Sequence, residues 1–173
     1  MRIYFWSYLL RFFYFTLSVL TLSCVNPFAP GLDTSGEESV LLGDQRTIEG
    51  VFQNFKYAYV LKDTSVYSKL LDENFVFVYR DYDKGQDISW GKVDEMRATY
   101  GLFRNTQNLD LIWNNIIVDS GDSLYRNVVR SFNLTVTFNP GDIVKVDGKA
   151  NFILQRSSPS EPWLIVFCRS ENK

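Results

Sequence analysis

Histidine is absent from all 173 residues, and only two cysteines, Cys24 and Cys168, are present. Without an imidazole there is no Ser-His-Asp triad, no Cys-His dyad and none of the usual zinc sites, because each needs that ring as base or ligand. Positive charge is not concentrated either. The 18 basic residues stand against 20 acidic ones, with no basic run and no basic-aromatic repeat, which argues against nucleic acid as the principal partner. A calcium loop is missing as well. In the acid-rich stretch DYDKGQDISWG (residues 81–91), the sixth and twelfth places counted from Asp81 hold Gln86 and Lys92, where an EF-hand has glycine and glutamate. The stretch reads as a solvated acidic loop, and neither metal nor cofactor is expected. What the chain does have is aromatic side chains, at 16% of residues, which suits large groups converging on a core or cavity.

No long apolar run survives at the start of the chain, because Arg11 interrupts the stretch needed to cross about 30 Å of hydrocarbon. A charged start at Arg2, an apolar segment of about a dozen residues from Phe12 and the small Ser23 fit a secretory signal over residues 1–23. The sequence Thr21-Leu22-Ser23-Cys24 resembles the lipobox of bacterial lipoproteins, departing from it at Thr21, where that family usually has leucine. The resemblance implies cleavage before Cys24 and lipidation of its thiol, so that the partner is a membrane and the location the bacterial cell envelope. Val25 rather than Asp in the next place implies the outer membrane in a Gram-negative cell. The alternative is an ordinary signal peptide or an uncleaved anchor with an incidental cysteine. Residues 24–43 are interrupted by Pro27, Pro30, Gly31 and Gly36 and read as a flexible tether, with the apolar residues 40–42 able to pack back on the first helix.

Beyond the tether, roughly 130 residues remain, enough for one domain (44–173) with its own core. Ile48, Val51, Phe52, Phe55, Ala58 and Tyr59 recur at three- and four-residue steps and predict an amphipathic helix capped by Asp44. A short second helix follows, capped by Thr64 or Ser65 and ending near Leu71. The run Phe75-Val-Phe-Val-Tyr79 predicts a strand with Phe75, Phe77 and Tyr79 on one face. A third helix opens at Ser89 or Gly91 and runs over residues 92–105, with Val93, Met96, Tyr100 and Phe103 at helical spacing. Four long strands then occupy residues 109–118, 124–138, 144–155 and 163–169, separated by turn chemistry at Ser120-Gly121-Asp122, Asn139-Pro140-Gly141-Asp142 and residues 157–162. Asp147-Gly148 is consistent with either a hairpin turn or a strand that continues through a bulge.

This segregated order is an α+β layout, three helices packed on one face of a mainly antiparallel sheet. Phe55-Lys-Tyr-Ala-Tyr59 through Asp63, Leu70-Leu71-Asp72-Glu73-Asn74-Phe75 before a strand, and Gly148-Lys-Ala-Asn-Phe-Ile-Leu154 followed by Pro162-Trp-Leu-Ile165 make it similar to the NTF2-like, cystatin-like cone of the SnoaL-like and ketosteroid-isomerase-like proteins. The resemblance spans the whole domain and implies a strongly curved sheet holding the helices in its concavity. It also implies, for enzymes of that group, an acid, histidine or tyrosine inside the cone. The histidine-aspartate pair of dehydratase-like members has no counterpart here. A carboxylate base with a tyrosine donor would draw on Asp81 or Glu95 with Tyr59, whereas Asp110 alternates against Leu109, Leu111 and Trp113 and faces away from them.

Along residues 124–138 the same-face positions are apolar except for Arg126 and Arg130. Facing the cone, they could bind a ligand carboxylate; otherwise their stems run over apolar surface to water or pair with an acid such as Asp81. Trp90, Trp113 and Trp163 are similarly divided between core and ligand platform, and Tyr59, Trp90, Trp113, Arg126 and Arg130 form the candidate pocket. Cys168, inside an apolar strand, reads as a buried free thiol rather than a nucleophile. With no catalytic set apparent, the sequence favours a non-catalytic module that holds a small apolar or amphipathic ligand or a protein partner. A SnoaL-like isomerase, dehydratase or hydrolase using Asp or Glu with Tyr is the alternative, and the open sheet face would suit a homodimer.

Overall fold

The computed structural model describes residues 42–172, so the signal segment, Cys24 and the tether as far as residue 41 lie outside the described residues. Helix α1 (Ile48–Val60) begins three residues later than a cap at Asp44 would place it. The Thr47 hydroxyl, not Asp44, accepts from the Gly50 amide at 3.0 Å. Asp44 instead closes the preceding turn, its carbonyl accepting from the Thr47 amide at 2.9 Å and its carboxylate from the Arg46 amide. A side chain caps the amide two or three residues ahead, and from Thr47 that amide is Gly50. Gly50 is required there, since a Cβ would come within 2.0 Å of the Asp44 carbonyl oxygen. Of the residues before the helix, Gly43 docks through both arms of the Asn54 amide (2.6 and 3.0 Å), while Leu42 stays exposed.

Lys62 leaves α1 in the left-handed region at φ 56°, and its ammonium reaches the Thr106 carbonyl at 2.9 Å. Helix α2 (Thr64–Leu70) is capped by Asp63, whose carboxylate accepts from the Ser65 and Val66 amides at 2.8 and 3.1 Å. Neither Thr64 nor Ser65 takes that role, because Asp63 already stands at the correct offset. Strand β1 (Leu71–Asp81) follows without a linker.

The acid-rich stretch is exposed over residues 82–87, as expected, but only its first half is loop. It is the turn of a hairpin, with Gly85 at φ 66°, and a second strand, β2 (Gln86–Gly91), pairs antiparallel with β1. The Asp87 carboxylate is held by Arg80 at 3.1 Å and Arg169 at 3.2 Å, which is why an acid tolerates this place. Helix α3 (Lys92–Asn105) turns a different face inward from the one its apolar spacing suggests. Phe103 is buried and Met96 packs on the core, but Val93 is 73% and Tyr100 52% exposed, and Glu95 and Thr99 are buried instead.

Strands β3 (Asn108–Gly121), β4 (Tyr125–Asn139), β5 (Asp142–Gln155) and β6 (Leu164–Asn172) complete a six-stranded sheet in the order β2-β1-β6-β5-β4-β3. Every pairing is antiparallel except β1 with β6. β5 runs straight through Asp147 and Gly148 with unbroken register against Asn133 and Phe132, so that dipeptide is strand and not turn. The bulges lie elsewhere, notably in β3, where Trp113 faces Phe132 and the next partnered residue, Ile116, faces Arg130. Such insertions bend the strand they occupy and let a long sheet curl.

α1 lies in that curl. Phe52 stacks on Phe152 (5.2 Å between centroids, 13° between planes) and meets Trp113 edge-on at 4.9 Å. Phe55 touches Tyr59, Tyr67, Trp113 and Phe152 within 5.5 Å. Phe52, Phe75, Phe152, Leu70, Leu109, Leu154 and Ile165 have essentially no exposed surface. Phe52→Ala is expected to cost about 3–5 kcal/mol, transfer and cavity terms combined. A denaturation midpoint lowered by no more than that of an exposed substitution such as Val93→Ala would contradict this placement.

Candidate functional site

Between α1 and the curled strands β3 to β6 lies a cavity of about 230 Å³. Its walls are Phe55 and Tyr59 from α1, Phe77 from β1, Leu111 and Trp113 from β3, Phe132 and Leu134 from β4, Val146, Ala150 and Phe152 from β5, and Cys168 and Ser170 from β6. Strand alternation explains the set: Phe132 and Leu134, Ala150 and Phe152, and Cys168 and Ser170 are each two apart, so each pair shares one face. Among the described residues only Tyr59, Cys168 and Ser170 bring a hydroxyl or thiol to it, and the Trp113 indole N–H is spent on the Phe52 carbonyl at 2.9 Å. Every one of these groups is uncharged in its ordinary state. Burial pushes the Tyr59 phenol well above its usual range, with the negative charge of Glu95 adding to the effect and a hydrogen bond with Tyr67 working against it. Burial likewise raises the Cys168 thiol, again helped by Glu95.

Glu95 stands behind this wall, not in it. Its carboxylate accepts from the Tyr67 hydroxyl at 2.7 Å, the Trp90 indole N–H at 2.6 Å and the Thr99 hydroxyl at 3.2 Å. The residue is 6% exposed, so its solvation is supplied almost wholly by these three donors. Burial raises the Tyr67 phenol too, reinforced by Tyr59, Glu95 and Cys168, which keeps it a proton donor. A string of hydrogen-bonding groups thus runs from Tyr59 in the cavity wall through Tyr67 to Glu95. Sequence spacing contains the signal for this: Glu95, Thr99 and Phe103 are four apart and share a helical face.

The candidates from sequence divide between places. Tyr59 and Trp113 line the cavity. Trp90 does not; it stacks on Phe77 at 4.7 Å and serves Glu95. Asp81 is at the β1–β2 hairpin, where the Lys84 amide and then the Lys84 ammonium hold its carboxyl below the usual range, so it is no partner for either arginine. Arg126 pairs with Asp119 across β3 and β4, Nε to Oδ1 at 2.9 Å.

Arg130 borders a second cavity of about 260 Å³ on the flank of α1, with Glu49, Gln53, Lys56, Tyr57, Ile112 and Trp113. Its guanidinium lies 5.0 Å over the Phe52 ring, donates from Nε to the Asn114 carbonyl at 2.8 Å and pairs with Glu49 at 2.8 Å. Trp113 is therefore a wall common to both cavities.

No family model matches the chain, and no curated protein matches it either. Solved structures do. A conserved protein from Planctomyces limnophilus superposes with a TM-score of 0.64 at 16% identity, over 75% of this chain and 98% of that one. A provisionally assigned dehydratase of the NTF2-like family from Streptomyces avermitilis gives 0.60 at 16% identity, over 75% and 97%. An NTF2-like protein of unknown function in nutrient uptake from Rhodospirillum rubrum gives 0.59 at 16% identity, over 73% and 98%. Three helices on a curled six-stranded mixed sheet, with these neighbours, give the chain the NTF2-like α+β fold.

Proposed function

We propose that the domain is a binding module that holds a small, flat, uncharged apolar molecule in the aromatic cavity, with a ligand hydroxyl or N–H donating to the Tyr59 oxygen, whose own proton goes to Tyr67. The observation that carries this reading is the cavity lining: among the described residues no charged side chain contributes to it, and Glu95 is set behind Tyr67 with its oxygens already engaged. A charged ligand would lose its hydration there without compensation, whereas an apolar one gains by leaving water. The module is carried to a bacterial membrane by lipid on Cys24, as the resemblance of residues 21–24 to a lipobox suggests.

A second reading has its own observation. A buried carboxylate joined through Tyr67 to a phenol in the cavity wall could serve acid–base chemistry of the isomerase or dehydratase kind. The name of the Streptomyces avermitilis neighbour points the same way. The binding reading is preferred because all three donors around Glu95 are satisfied by it and it does not line the cavity.

Calorimetric titration with naphthalene and with 1-naphthol, the same two-ring body carrying a hydroxyl, tests the reading. Both should bind. Leu134→Trp, which fills the cavity, should weaken both at least ~10-fold, and Tyr59→Phe should weaken naphthol alone by about 3- to 10-fold, the worth of one hydrogen bond. Equal binding to the filled variant would refute the assignment. Turnover of 1-tetralone, a two-ring ketone, in deuterium oxide, seen as loss of its α-proton signals and abolished by Glu95→Gln, would favour chemistry.

The neutral lining also sets a pH window. Tyr59, Tyr67 and Cys168 have folded values above their unfolded ones, so the stability they contribute is intact below the unfolded thiol and phenol values of 9.0 and 10.0 and is lost as pH rises beyond them. Stability to urea should therefore be unaffected by these groups between pH 6 and about 8.5 and fall steadily above it. Iodoacetamide at pH 8 should label Cys168 only after unfolding; rapid labelling of the native chain would show an exposed thiolate. Finally, Cys24→Ser should move the chain from the membrane to the soluble fraction of its producing cell, and unchanged membrane association would remove the lipid anchor from the account.

A further inference from the structure

The second cavity is chemically unlike the first. Its α1 wall is made by Glu49, Gln53, Lys56 and Tyr57, positions at i, i+4, i+7 and i+8 that form one flank of the helix beside the buried Phe52 and Phe55 stripe. From the sheet side comes Arg130, and its orientation is built rather than accidental. The β3 bulge leaves Asn114 and Asn115 between the partnered residues Trp113 and Ile116, and the Asn114 carbonyl takes Arg130 Nε at 2.8 Å. The Phe52 ring supports the guanidinium plane at 5.0 Å. With Nε fixed on that carbonyl, the terminal nitrogen Nη1 is left for the Glu49 carboxylate at 2.8 Å. The Arg130 side chain is only 12% exposed.

Charge in this cavity does not balance. Lys56 and Arg130 are positive, and Glu49 is the one acid in the lining among the described residues. Glu49 sits on Arg130 at 2.8 Å, but its side chain is 67% exposed and reaches in from solvent. Lys56 has no carboxylate partner among the described residues. The Tyr57 hydroxyl accepts from the Gln53 amide at 3.3 Å, which leaves its own proton free to donate. Glu49 thus occupies, loosely, the place a ligand carboxylate would take.

We propose that this flank cavity is a separate binding site for small aromatic monocarboxylates, with the carboxylate held by Arg130 and Lys56 in place of Glu49 and the ring against Trp113 and Ile112. With Glu49 displaced toward solvent, the charges of Lys56 and Arg130 are left for the ligand carboxylate. The planar guanidinium matches a carboxylate bidentately, and the Tyr57 proton adds a further donor. The Trp113 ring, pinned by its bond to the Phe52 carbonyl, separates this site from the apolar cavity, so the inference does not rest on the apolar ligand.

Calorimetric titration of the full chain with benzoate and with benzamide, at low ionic strength so that screening is weak, tests it. Benzoate should bind saturably at one site and benzamide at least ~10-fold more weakly, a difference of about one charge-assisted contact. Glu49→Gln, which removes the resident competitor, should tighten benzoate several-fold. Lys56→Met should weaken benzoate while leaving naphthalene binding unchanged. Equal affinity for benzamide, a Glu49→Gln chain that binds benzoate no better, or a Lys56→Met chain unaffected in benzoate binding would each overturn the proposal. Loss of naphthalene binding in the wild-type chain alone would bear on the apolar cavity and leave this site standing.

Discussion

The contact on which the rest depends is the packing of Phe52 and Phe55 of α1 against Phe152 and Trp113 of the sheet. Each such aromatic pair contributes roughly 0.5–1.5 kcal/mol beyond the area it buries. More important is what the contact positions. It seats α1 inside the curl, so that Tyr59 reaches the cavity wall from one side of the helix while Glu49, Lys56 and Tyr57 reach the flank from the other. The Trp113 indole bond to the Phe52 carbonyl fixes the partition between the two. Rings this large cannot interdigitate completely in a small curved sheet, and the remaining space is the apolar cavity.

Glu95 is the second organising group. One carboxylate gathers donors from α2 (Tyr67), β2 (Trp90) and α3 (Thr99), elements that are otherwise joined by few contacts. Losing it would orphan two buried donors, Tyr67 and Thr99, each at a cost of about 1–3 kcal/mol, and the part-buried Trp90 N–H. Glu95 also explains the rotation of α3. An acid at this place must turn inward to meet its donors, and that turns Val93 and Tyr100 out to water.

Much of the fold was legible in the residues. The period of Ile48 to Tyr59, the β-branched run at 75–79 and the turn dipeptides after residue 119 placed three helices and five of the six strands, and the segregated order pointed to the cone. What escaped reading was decided by tertiary partners. The hairpin strand β2 carries too little apolar character to announce itself and is held by pairing with β1 and by the Asp87 bridges to Arg80 and Arg169. The caps moved from Asp44 to Thr47 and from Thr64 or Ser65 to Asp63 because a cap depends on its offset from the first free amides. For the cavity, Tyr59 and Trp113 were recognisable as large side chains on inward positions. Phe132, Leu134, Cys168 and Ser170 need the sheet order and register before they become neighbours. The partners of Arg126 and Arg130, Asp119 and Glu49, were likewise hidden: one depends on the β3–β4 register past a bulge, the other on how α1 lies across the sheet.

The two cavities have opposite chemistry on either side of one indole, an apolar interior with uncharged donors and a polar flank with excess positive charge. The central claim is that the interior one receives a neutral flat molecule. Its most direct test is a measurement of intermolecular nuclear Overhauser effects between naphthalene protons and the protein. The account predicts cross-peaks to the side chains of Phe132, Leu134 and Trp113. Cross-peaks confined to the exposed residues Ile116, Ile117 and Ile143 would place the molecule on the outer surface and contradict it.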